Sequence, residues 1–523
     1  MGAKAAALAA ARSAGAPVLP GFVVVADASR SHLELGARTL PERGSGGARL
    51  VVTGAPIDFA DALVAAGEDL DDRLVARSST LLESSGEWSG AFTSYVDVTP
   101  AELPKAVVGC WASAFSVAAL ERQEAAGVAP GTFPMSVLVQ PALQPEAGGS
   151  AELGSDGRTT VNGIKGAPAP LLQGWATGHE ARYDHGWSGD ALIEMLGVPN
   201  LEAIRHILAT TGANRCEWAL TDRIWALQLG RARSVPEPVV SGRVGSEISA
   251  RLVELARTLV LAPGPLGEVM VLPWALAGIP EVAPTRVAAG SQTAGHARAL
   301  CRELTEEVWG LPFEQAVAAT RDIMGDLGGP DPGSALSRLR RLRPAEASKS
   351  GLLMGSLRAL RVELAERGLV VDQEAAWHLD LDSIEAALGG RRVMIPPRVG
   401  IGRWEPLVAS VILSSSTPRG GTPASPGVGV GRRAHVADVY GRQTHRRNTI
   451  TAPQPIPNLA GLLWDAAALV TATGSPAAHL FEAARALRVP AVCGIDLGPA
   501  RAEVVAVDGH HGMVATLTLD REL

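Results

Sequence analysis

His479 is the residue whose type and surroundings most clearly predict chemistry. It follows a Ser475-Pro476 pair, which is typical of the N-cap and first residue of a helix, so the spacing predicts that His479 lies in the first helical turn. Free backbone N–H groups and the helix dipole favour an anion at such a position. We therefore expect the imidazole to project from an exposed helix, where it could carry a phosphoryl group. A partly buried helix histidine without a chemical role is the alternative.

The segment around His479 resembles the swivelling phosphohistidine domain of the phosphoenolpyruvate-utilising and dikinase-type phosphotransferases. That pattern has a Gly-rich turn, Ser or Thr before the histidine, an Ala-rich helix with an arginine six residues on, and a Pro-Ala-Val-Val-Gly strand. His479, Arg485 and residues 490–492 match it. The resemblance implies that His479 carries the phosphoryl group and that Arg485 helps to hold its charge. Two positions depart: Ser475 replaces a glycine, and Ala478 lacks a hydroxyl that could orient the imidazole.

The N-terminal residues resemble the ATP-grasp domain of the same phosphotransferases. Residues 2–8 and 15–24 resemble its Gly-Gly-Lys-Gly opening and Val-Pro-Pro-Gly-Phe segment, which implies that Lys4 contacts phosphate. Arg77 would approach the ATP phosphates, and Gly90 would belong to the loop that covers them. A lysine, an arginine and the backbone amides of a small-residue loop supply the donors and positive charge that a triphosphate requires. Taken singly, Arg77 could be a paired strand arginine and Gly90 an ordinary turn.

Residues 216–228 carry the most specific part of this resemblance, a Glu-Trp hairpin that ends in Leu-Gln. The resemblance implies that Glu217 and Gln228 lie on paired strands and direct two oxygen ligands at a Mg²⁺ that bridges the ATP phosphates. Gln140 resembles the hinge residue whose backbone meets adenine. The sequence departs from the pattern at Gly230, where an arginine is usual. An exposed glutamate and an edge-strand glutamine are the alternative.

The composition is that of a globular protein without a nucleic-acid-binding surface. The net charge is -7 and the pI about 5.9, and no basic stripe offsets the acidic balance. The four cysteines lie far apart without Cys-x-x-Cys spacing, which indicates neither a zinc site nor a disulfide framework. Arg12 interrupts the apolar start of the chain, and no apolar run reaches membrane-spanning length. We expect a soluble cytoplasmic protein of unknown oligomeric state that binds neither nucleic acid nor membranes.

The pattern along the chain predicts a multidomain α/β protein. Helical and strand-like segments alternate over residues 1–240, which the resemblance identifies as an ATP-grasp-like nucleotide-binding domain. A helical pattern over residues 245–405 predicts a mainly helical substrate-binding domain, and the Pro/Gly/Ser-rich residues 414–426 predict a linker. Alternation returns over residues 425–523, the predicted swivelling α/β phosphohistidine domain.

The substrate prediction depends on the middle of the chain. Residues 360–388 resemble the end of the substrate-binding domain in rifampin phosphotransferases, whose domain order is the closest in architecture. His378, within this stretch, could be the general base that accepts the proton of a substrate hydroxyl, or a histidine at the edge of a core. No metal-binding barrel follows the histidine domain, which disfavours pyruvate, and the helical domain is short. We therefore expect a different hydroxyl-bearing small molecule, such as a polyketide.

Three hypotheses about function remain open. In the first, ATP phosphorylates His479, the histidine domain swings across, and the hydroxyl of a natural product takes the phosphoryl group, which could then leave in a dehydration or ring closure. In the second, the scaffold is an ATP-independent dehydratase or cyclase with His479 or His378 as an acid/base group. In the third, the protein is an inactive regulator. The presence of Lys4, Arg77 and Glu217 favours the first hypothesis.

Overall fold

A computed structural model describes residues 1–230 apart from Ser85 and Ser155, residues 405–436, 447–498 and 503–518, and isolated positions between 260 and 391. The chain divides into two compact units. The first comprises Met1–Pro236, Pro453–Trp464 and Thr471–Val489, and the second Glu237–Ala452, Asp465–Val470 and Pro490–Leu523. Most of the predicted helical domain, including His378, lies outside the described residues. The three domain boundaries therefore stay predictions.

The first part of the first unit is built around a four-stranded antiparallel sheet. Its elements are helix α1 (Ala3–Ser13), strand β1 (Phe22–Val24), helices α2 (Arg30–Gly54) and α3 (Ala60–Glu68), strands β2 (Leu74–Ser79) and β3 (Ser94–Val98), helices α4 (Leu103–Ala112) and α5 (Val117–Ala125), and strand β4 (Ser136–Pro141). The strands are ordered β1-β4-β2-β3. Leu74, Trp111 and Phe115 are fully buried in its core, and the Trp111 indole donates to the Met135 carbonyl at 3.0 Å.

A second sheet of the same unit carries one apolar and one polar face. Its elements are strands β5 (Ala147–Leu153) and β6 (Thr159–Lys165), helix α6 (Ala169–Leu172), strands β7 (His179–Tyr183) and β8 (Trp187–Ser188), helix α7 (Asp190–Thr211), and strands β9 (Arg215–Leu220) and β10 (Ile224–Gly230), in the sheet order β10-β9-β5-β6-β7-β8. Successive side chains of a strand point to opposite faces. Cys216 and Trp218 therefore pack into the core with α1 and α7, whereas Arg215 and Glu217 point to the other face.

The second unit contains most of an eight-stranded sheet. Its elements are helix α8 (Glu405–Ser415) and strands β11 (Arg419–Gly420), β12 (Thr422–Ser425), β13 (Val428–His435), β14 (Thr449–Ala452), β15 (Ala468–Thr471), β16 (Ala491–Cys493), β17 (Glu503–Asp508) and β18 (Met513–Thr518). The strands are ordered β11-β18-β17-β13-β14-β15-β16-β12. Strands β13 and β14 pair in parallel, and β17 pairs antiparallel with β13 and β18. The mixed α/β class expected from the sequence is confirmed.

The prediction of a linker over residues 414–426 is wrong. These residues form the end of α8 and the strands β11 and β12. Proline cannot donate to a strand ladder, but Pro423 is accommodated because β12 is an edge strand. Gly421 is also structural, since a Cβ there would lie 2.6 Å from the Cys493 carbonyl oxygen. The proline and glycine residues that suggested a linker are therefore those that fit sterically at the edge of this sheet.

No single described helix is long and apolar enough to cross a membrane. The consecutive segments Pro100–Phe115 and Val117–Ala125 reach that length and apolarity only when taken together, and they are bent by 47°.

We predict that Gly149→Ala destabilises the first unit, whereas Gly46→Ala does not. Gly149 pairs with Gly163 between β5 and β6, and a Cβ would overlap the Asn162 carbonyl oxygen, so overpacking should cost about 1–3 kcal/mol. A Cβ at the helical Gly46 meets no atom within 4 Å, and alanine there should stabilise by roughly 0.4–1 kcal/mol. Urea unfolding of both variants measures the difference. Equal midpoints would show that the β5–β6 contact is looser than described.

Candidate functional site

The candidate site lies on the polar face of the second sheet. Glu217 on β9 pairs in register with Ser150 on β5, which pairs with Asn162 on β6. Arg215 pairs in the same way with Glu152. The side chains of Arg215, Glu217, Ser150 and Asn162 belong to residues only 4 to 7 % exposed. Burying polar groups is unfavourable unless they are paired, so a buried polar face indicates a binding or catalytic site rather than ordinary core.

Arg77, Glu217 and Gln228 form a three-residue cluster at one edge of this face. Gln228 lies directly opposite Glu217 because a bulge between Ala226 and Gln228 leaves Leu227 unpaired. From β2, the Arg77 guanidinium donates to Gln228 Oε1 at 3.1 Å and to Glu217 Oε2 at 3.4 Å. It also donates to the Leu227 carbonyl. The structure thus brings together three residues that the sequence predicted to share a site.

Glu217 has the features of a cation ligand. Its Oε1 is buried and has no hydrogen-bond partner among the described residues. Burial raises the pKa of this carboxyl group, but the positive charges of His479 in its protonated form, Arg77 and Arg215 lower it by more. The carboxylate is ion-paired with Arg77, and one of its oxygens has no hydrogen-bond partner among the described residues. The described residues contain no cluster of three or more His, Cys, Asp or Glu side chains that could hold a metal ion, so a Mg²⁺ bound by Glu217 and Gln228 would need further ligands from a bound phosphate or from water.

Lys4 reaches the same region from the first turn of α1. The close approach of Gly2 to the Ser79 backbone, where no Cβ would fit, brings the start of α1 against the end of β2. The Lys4 ammonium donates to Glu83 Oε1 at 2.5 Å and to the Ser78 carbonyl at 3.3 Å. Its positive charge contributes to the pKa shifts of both Glu217 and His479, which places it within electrostatic range of them.

The helix that carries the histidine, α9 (His479–Leu487), begins three residues later than the sequence predicted. The hydroxyl of Ser475 accepts from the Ala477 amide at 3.3 Å, and its carbonyl accepts from the Ala478 amide at 3.0 Å. Ser475 therefore caps a turn that precedes the helix instead of the helix itself. His479 still lies in the first turn, because it is the first helical residue.

The prediction of an exposed histidine helix is wrong. Leu480, Phe481 and Ala484 of α9 are fully buried, and the His479 side chain is only 16 % exposed. The apolar side chains of this Ala-rich helix pack against other residues of the first unit, so α9 is buried within that unit. The histidine consequently lies in a largely dry site.

Burial and nearby charge keep the imidazole neutral. The pKa of His479 is lowered to about 4, and burial is the largest cause of the shift. Glu217 opposes the shift, whereas the positive charges of Arg215, Lys4 and Arg122 contribute to it. A neutral imidazole retains a nitrogen lone pair at neutral pH, which a protonated one lacks. His479 is thus in the form that a nucleophile or a general base requires.

A hydrogen-bonded group holds one edge of the imidazole. His479 Nδ1 lies 2.7 Å from Ser89 Oγ. The Ser89 hydroxyl also bonds to Glu482 Oε2, the same oxygen that pairs with the Arg215 guanidinium. Glu482 lies one turn after His479 on α9, and its Oε2 is 3.5 Å from His479 Nδ1. Side chains from β9, α9 and the 88–90 loop therefore meet at the histidine.

Gly90 lies against the ring of His479. Its φ of +65° falls in the left-handed region that favours glycine. A Cβ at this position would lie 3.0 Å from Pro457 and 3.2 Å from His479 Cδ2. The buried Arg122 fixes the loop by donating to the carbonyls of Ser89, at 2.8 Å, and of Pro457. The predicted phosphate-covering loop thus contacts the histidine itself.

Two other predicted residues have partners of their own. Arg485 donates to the Pro476 carbonyl at 3.1 Å and pairs with Glu152 at 3.4 Å, so it holds the turn before α9 against β5. The buried amide of Gln140 on β4 donates to the Leu19 carbonyl at 3.1 Å. His378, the predicted general base, lies outside the described residues.

Residues 449–512 match the family model described as PEP-utilising enzyme, mobile domain. This match includes His479 and Arg485, and it supports an enzyme of the phosphotransfer type. No curated protein matches the chain. The ATP-grasp identity of the N-terminal residues and the likeness to rifampin phosphotransferases stay predictions.

Four residues of the site were not predicted from the sequence: Ser89, Glu482, Arg215 and Arg122. Two signals were available: Glu482 is three residues from His479 on a helix, and Arg215 is two residues from Glu217 on a strand, so each shares a face with a predicted residue. Ser89 adjoins Gly90 in the predicted loop, but its contact with His479 joins residues 390 positions apart. Arg122 gave no signal, because its role depends on burial between two distant carbonyls.

We predict that His479 titrates near pH 4 in the folded protein and near its ordinary value of about 6.5 in the unfolded chain. Glu217 and Glu482 face the ring with negative charge, and Arg215, Lys4 and Arg122 with positive charge. Because the folded pKa is lowered, stability should fall as the pH drops from about 6.5 through 4. NMR of the imidazole carbon-bound protons measures the midpoint. Glu217→Gln should lower it further, and a midpoint near 6.5 in the wild type would contradict the buried environment.

Proposed function

We propose that the protein is a dikinase-type phosphotransferase that moves a phosphoryl group from ATP through His479 to a hydroxyl of a natural product. The observation that carries this proposal is the position of His479 within the first unit. The histidine of a mobile-domain segment lies beside Gly90 and within electrostatic range of Lys4 and Glu217, which the sequence assigned to ATP binding. A carrier histidine must meet its phosphoryl donor in this way.

The protonation state of His479 suits the first chemical step. A neutral imidazole nitrogen forms a bond to the β-phosphorus of ATP as the bond between that phosphorus and the AMP oxygen breaks, which releases AMP. Water then cleaves the terminal phosphate from the histidine-bound pyrophosphoryl group and leaves phosphohistidine. In the last step, a substrate hydroxyl oxygen forms a P–O bond as the P–N bond breaks, and the hydroxyl proton passes to a base. Overall, ATP, water and the alcohol give AMP, phosphate and a phosphoester. Positioning and charge stabilisation dominate catalysis in reactions of this type.

The described residues fit a Mg²⁺–triphosphate. Glu217 and Gln228 would hold Mg²⁺, and the unpaired buried Oε1 of Glu217 supports this assignment. Bound Mg²⁺ would neutralise phosphate charge. Arg77 and Lys4 would bind the phosphates, exchanging part of their present contacts with Glu217 and Glu83. The backbone of Gln140 would contact the adenine.

The acceptor is proposed on the resemblance of residues 360–388 to antibiotic phosphotransferases. We propose a hydroxyl-bearing molecule of antibiotic or polyketide type in the cytoplasm, with His378 as the base that accepts its proton. Arg485 would act indirectly, because its contacts with Pro476 and Glu152 hold the turn that carries the phosphorylated histidine.

One observation favours a second function. A neutral, largely buried imidazole also suits a general base, and Lys4 and Arg77 are already paired with carboxylates. We therefore keep an ATP-independent dehydratase or cyclase as the second candidate. The two candidate functions differ in whether the enzyme consumes ATP.

We predict that the wild type incubated with Mg²⁺ and ATP labelled with ³²P at the β and γ positions retains acid-labile label, and that His479→Ala retains none. Loss of the imidazole leaves Ser89 without one hydrogen-bond partner, which should cost about 1–3 kcal/mol and leave the protein folded. His206→Ala, on the exposed side of α7, is the matched control and should label normally. A folded wild type that neither labels nor releases AMP would favour the ATP-independent function.

We also predict that Glu217→Gln weakens binding of ATP with Mg²⁺ by at least about tenfold while binding of ATP without Mg²⁺ changes less. The variant keeps the size of the side chain but removes the charge of the proposed metal ligand. Calorimetry with and without Mg²⁺ measures both affinities. Glu202→Gln, at a more exposed ion pair on α7, is the control. Equal losses with and without Mg²⁺ would show that Glu217 is not a metal ligand.

A further inference from the structure

We infer that Ser89 and Glu482 are positioning residues that fix the His479 imidazole with its proton on Nδ1, so that the Nε2 lone pair accepts the phosphoryl group. This inference rests on the proposed function for the transfer step, but not for the tautomer. Nothing in the sequence pattern around His479 specifies it, because Ala478, the residue before the histidine, has no hydroxyl. The hydroxyl comes instead from a residue distant in sequence.

The direction of each hydrogen bond follows from counting protons. Glu482 is ion-paired with Arg215, and a carboxylate oxygen can only accept. The Ser89 hydroxyl has a single proton, and its bond to the same carboxylate oxygen uses that proton. Ser89 Oγ can then only accept from His479 Nδ1, at 2.7 Å. A neutral imidazole with its proton on Nδ1 has its lone pair on Nε2.

The contacts of Ser89 and its neighbours hold the Ser89 hydroxyl in one position. Arg122 donates to the Ser89 carbonyl at 2.8 Å, and the adjacent Gly90 packs against the ring. The preceding Trp88 is buried and stacks on Phe92, with ring centroids 5.9 Å apart. A hydroxyl anchored from both sides can orient the ring before any substrate binds, which is what a nucleophile in a fixed geometry requires.

A purely structural role for Ser89 and Glu482 would involve the same hydrogen bonds, but removing either side chain would have a different effect on His479. If Ser89 and Glu482 served only to satisfy buried polar groups, their removal would lower stability and leave the tautomer of His479 unchanged. If they position the ring, their removal should change the proton distribution between Nδ1 and Nε2. The tautomer therefore separates the two roles.

The test uses the full-length protein labelled with ¹⁵N in its histidines. Long-range ¹H–¹⁵N correlation spectra distinguish a protonated from an unprotonated ring nitrogen, and the signals of His479 are those missing from His479→Ala. We expect the wild type to show a protonated Nδ1 and an unprotonated Nε2. In Ser89→Ala the two nitrogens should move towards averaged shifts, with a smaller change in Glu482→Gln. Ser113→Ala, which removes another buried serine hydroxyl bonded to a carbonyl, should change neither.

The same variants are then phosphorylated with ATP and Mg²⁺, and the phosphohistidine isomer is identified by ³¹P NMR. We expect the Nε2 isomer in the wild type. In Ser89→Ala we expect a mixture of isomers that forms about 10- to 100-fold more slowly. This loss is smaller than the roughly 10⁴-fold loss of rate that a wrong histidine tautomer causes in a serine protease. Ser89→Cys, which keeps the size of the side chain but offers only a weak acceptor, gives the same readout if Ser89→Ala does not fold.

The outcomes separate the inference from the proposed function. An Nε2–H tautomer in the wild type, or an unchanged tautomer in both Ser89→Ala and Glu482→Gln, overturns the positioning role even if phosphohistidine forms. The expected tautomer without any phosphohistidine overturns the proposed function and leaves the positioning role standing. Phosphorylation of the wild type on Nδ1 contradicts the inference directly, because that nitrogen would need its proton removed and its bond to Ser89 broken.

Discussion

The buried ion pair between Arg215 and Glu482 is the interaction on which the site depends. Arg215 belongs to a strand of the second sheet and Glu482 to the histidine helix, and their side chains are 5 % and 15 % exposed. Burial lowers the pKa of Arg215 to about 10, which reflects how unfavourable its unpaired charge would be. Removing one member of a buried pair typically costs about 3–5 kcal/mol. The pair therefore fixes the helix on the polar face of the sheet, and with it the position of His479.

This arrangement explains why an apolar, alanine-rich helix can cover a polar face. The buried residues Phe481 and Ala484 give α9 an apolar surface, while Glu482 and Arg485 supply the charges that match Arg215 and Glu152. A face with unpaired charges would not tolerate burial, and a fully apolar helix would leave those charges unpaired. The alternation of apolar and charged residues along α9 is thus set by the sheet beneath it.

Part of this site was predicted because the motifs that carry it are continuous in sequence. The resemblance of residues 216–228 to a Glu-Trp hairpin implied that Glu217 and Gln228 lie on paired strands, although it did not predict the bulge at Leu227 that brings them into register. The start of α9 was misplaced because Ser475 followed by proline caps either a helix or a short turn, and only the following backbone decides between them. The exposure of the helix was also misjudged, since burial depends on what packs against it.

Residues brought together by tertiary contacts were beyond sequence reasoning. The missing hydroxyl at Ala478 looked like erosion of the phosphohistidine motif, yet Ser89 places a hydroxyl 2.7 Å from the ring. A motif read along the chain records only the groups supplied by neighbours in sequence. Hydrogen bonds have no such restriction, so a departure from the motif can be offset by a residue from another strand or loop.

The charges around His479 suit both states of the histidine in the proposed reaction, the neutral imidazole and the phosphohistidine. Arg215, Lys4 and Arg122 lower the pKa of His479 by disfavouring a positive imidazolium. The same charges would favour the negative phosphoryl group on the ring, because the sign of the added charge is reversed. Glu217 acts in the opposite sense on both states, and a cation bound to its unpaired oxygen would cancel that effect. An environment that keeps the histidine neutral before transfer is therefore also one that stabilises it once it is phosphorylated.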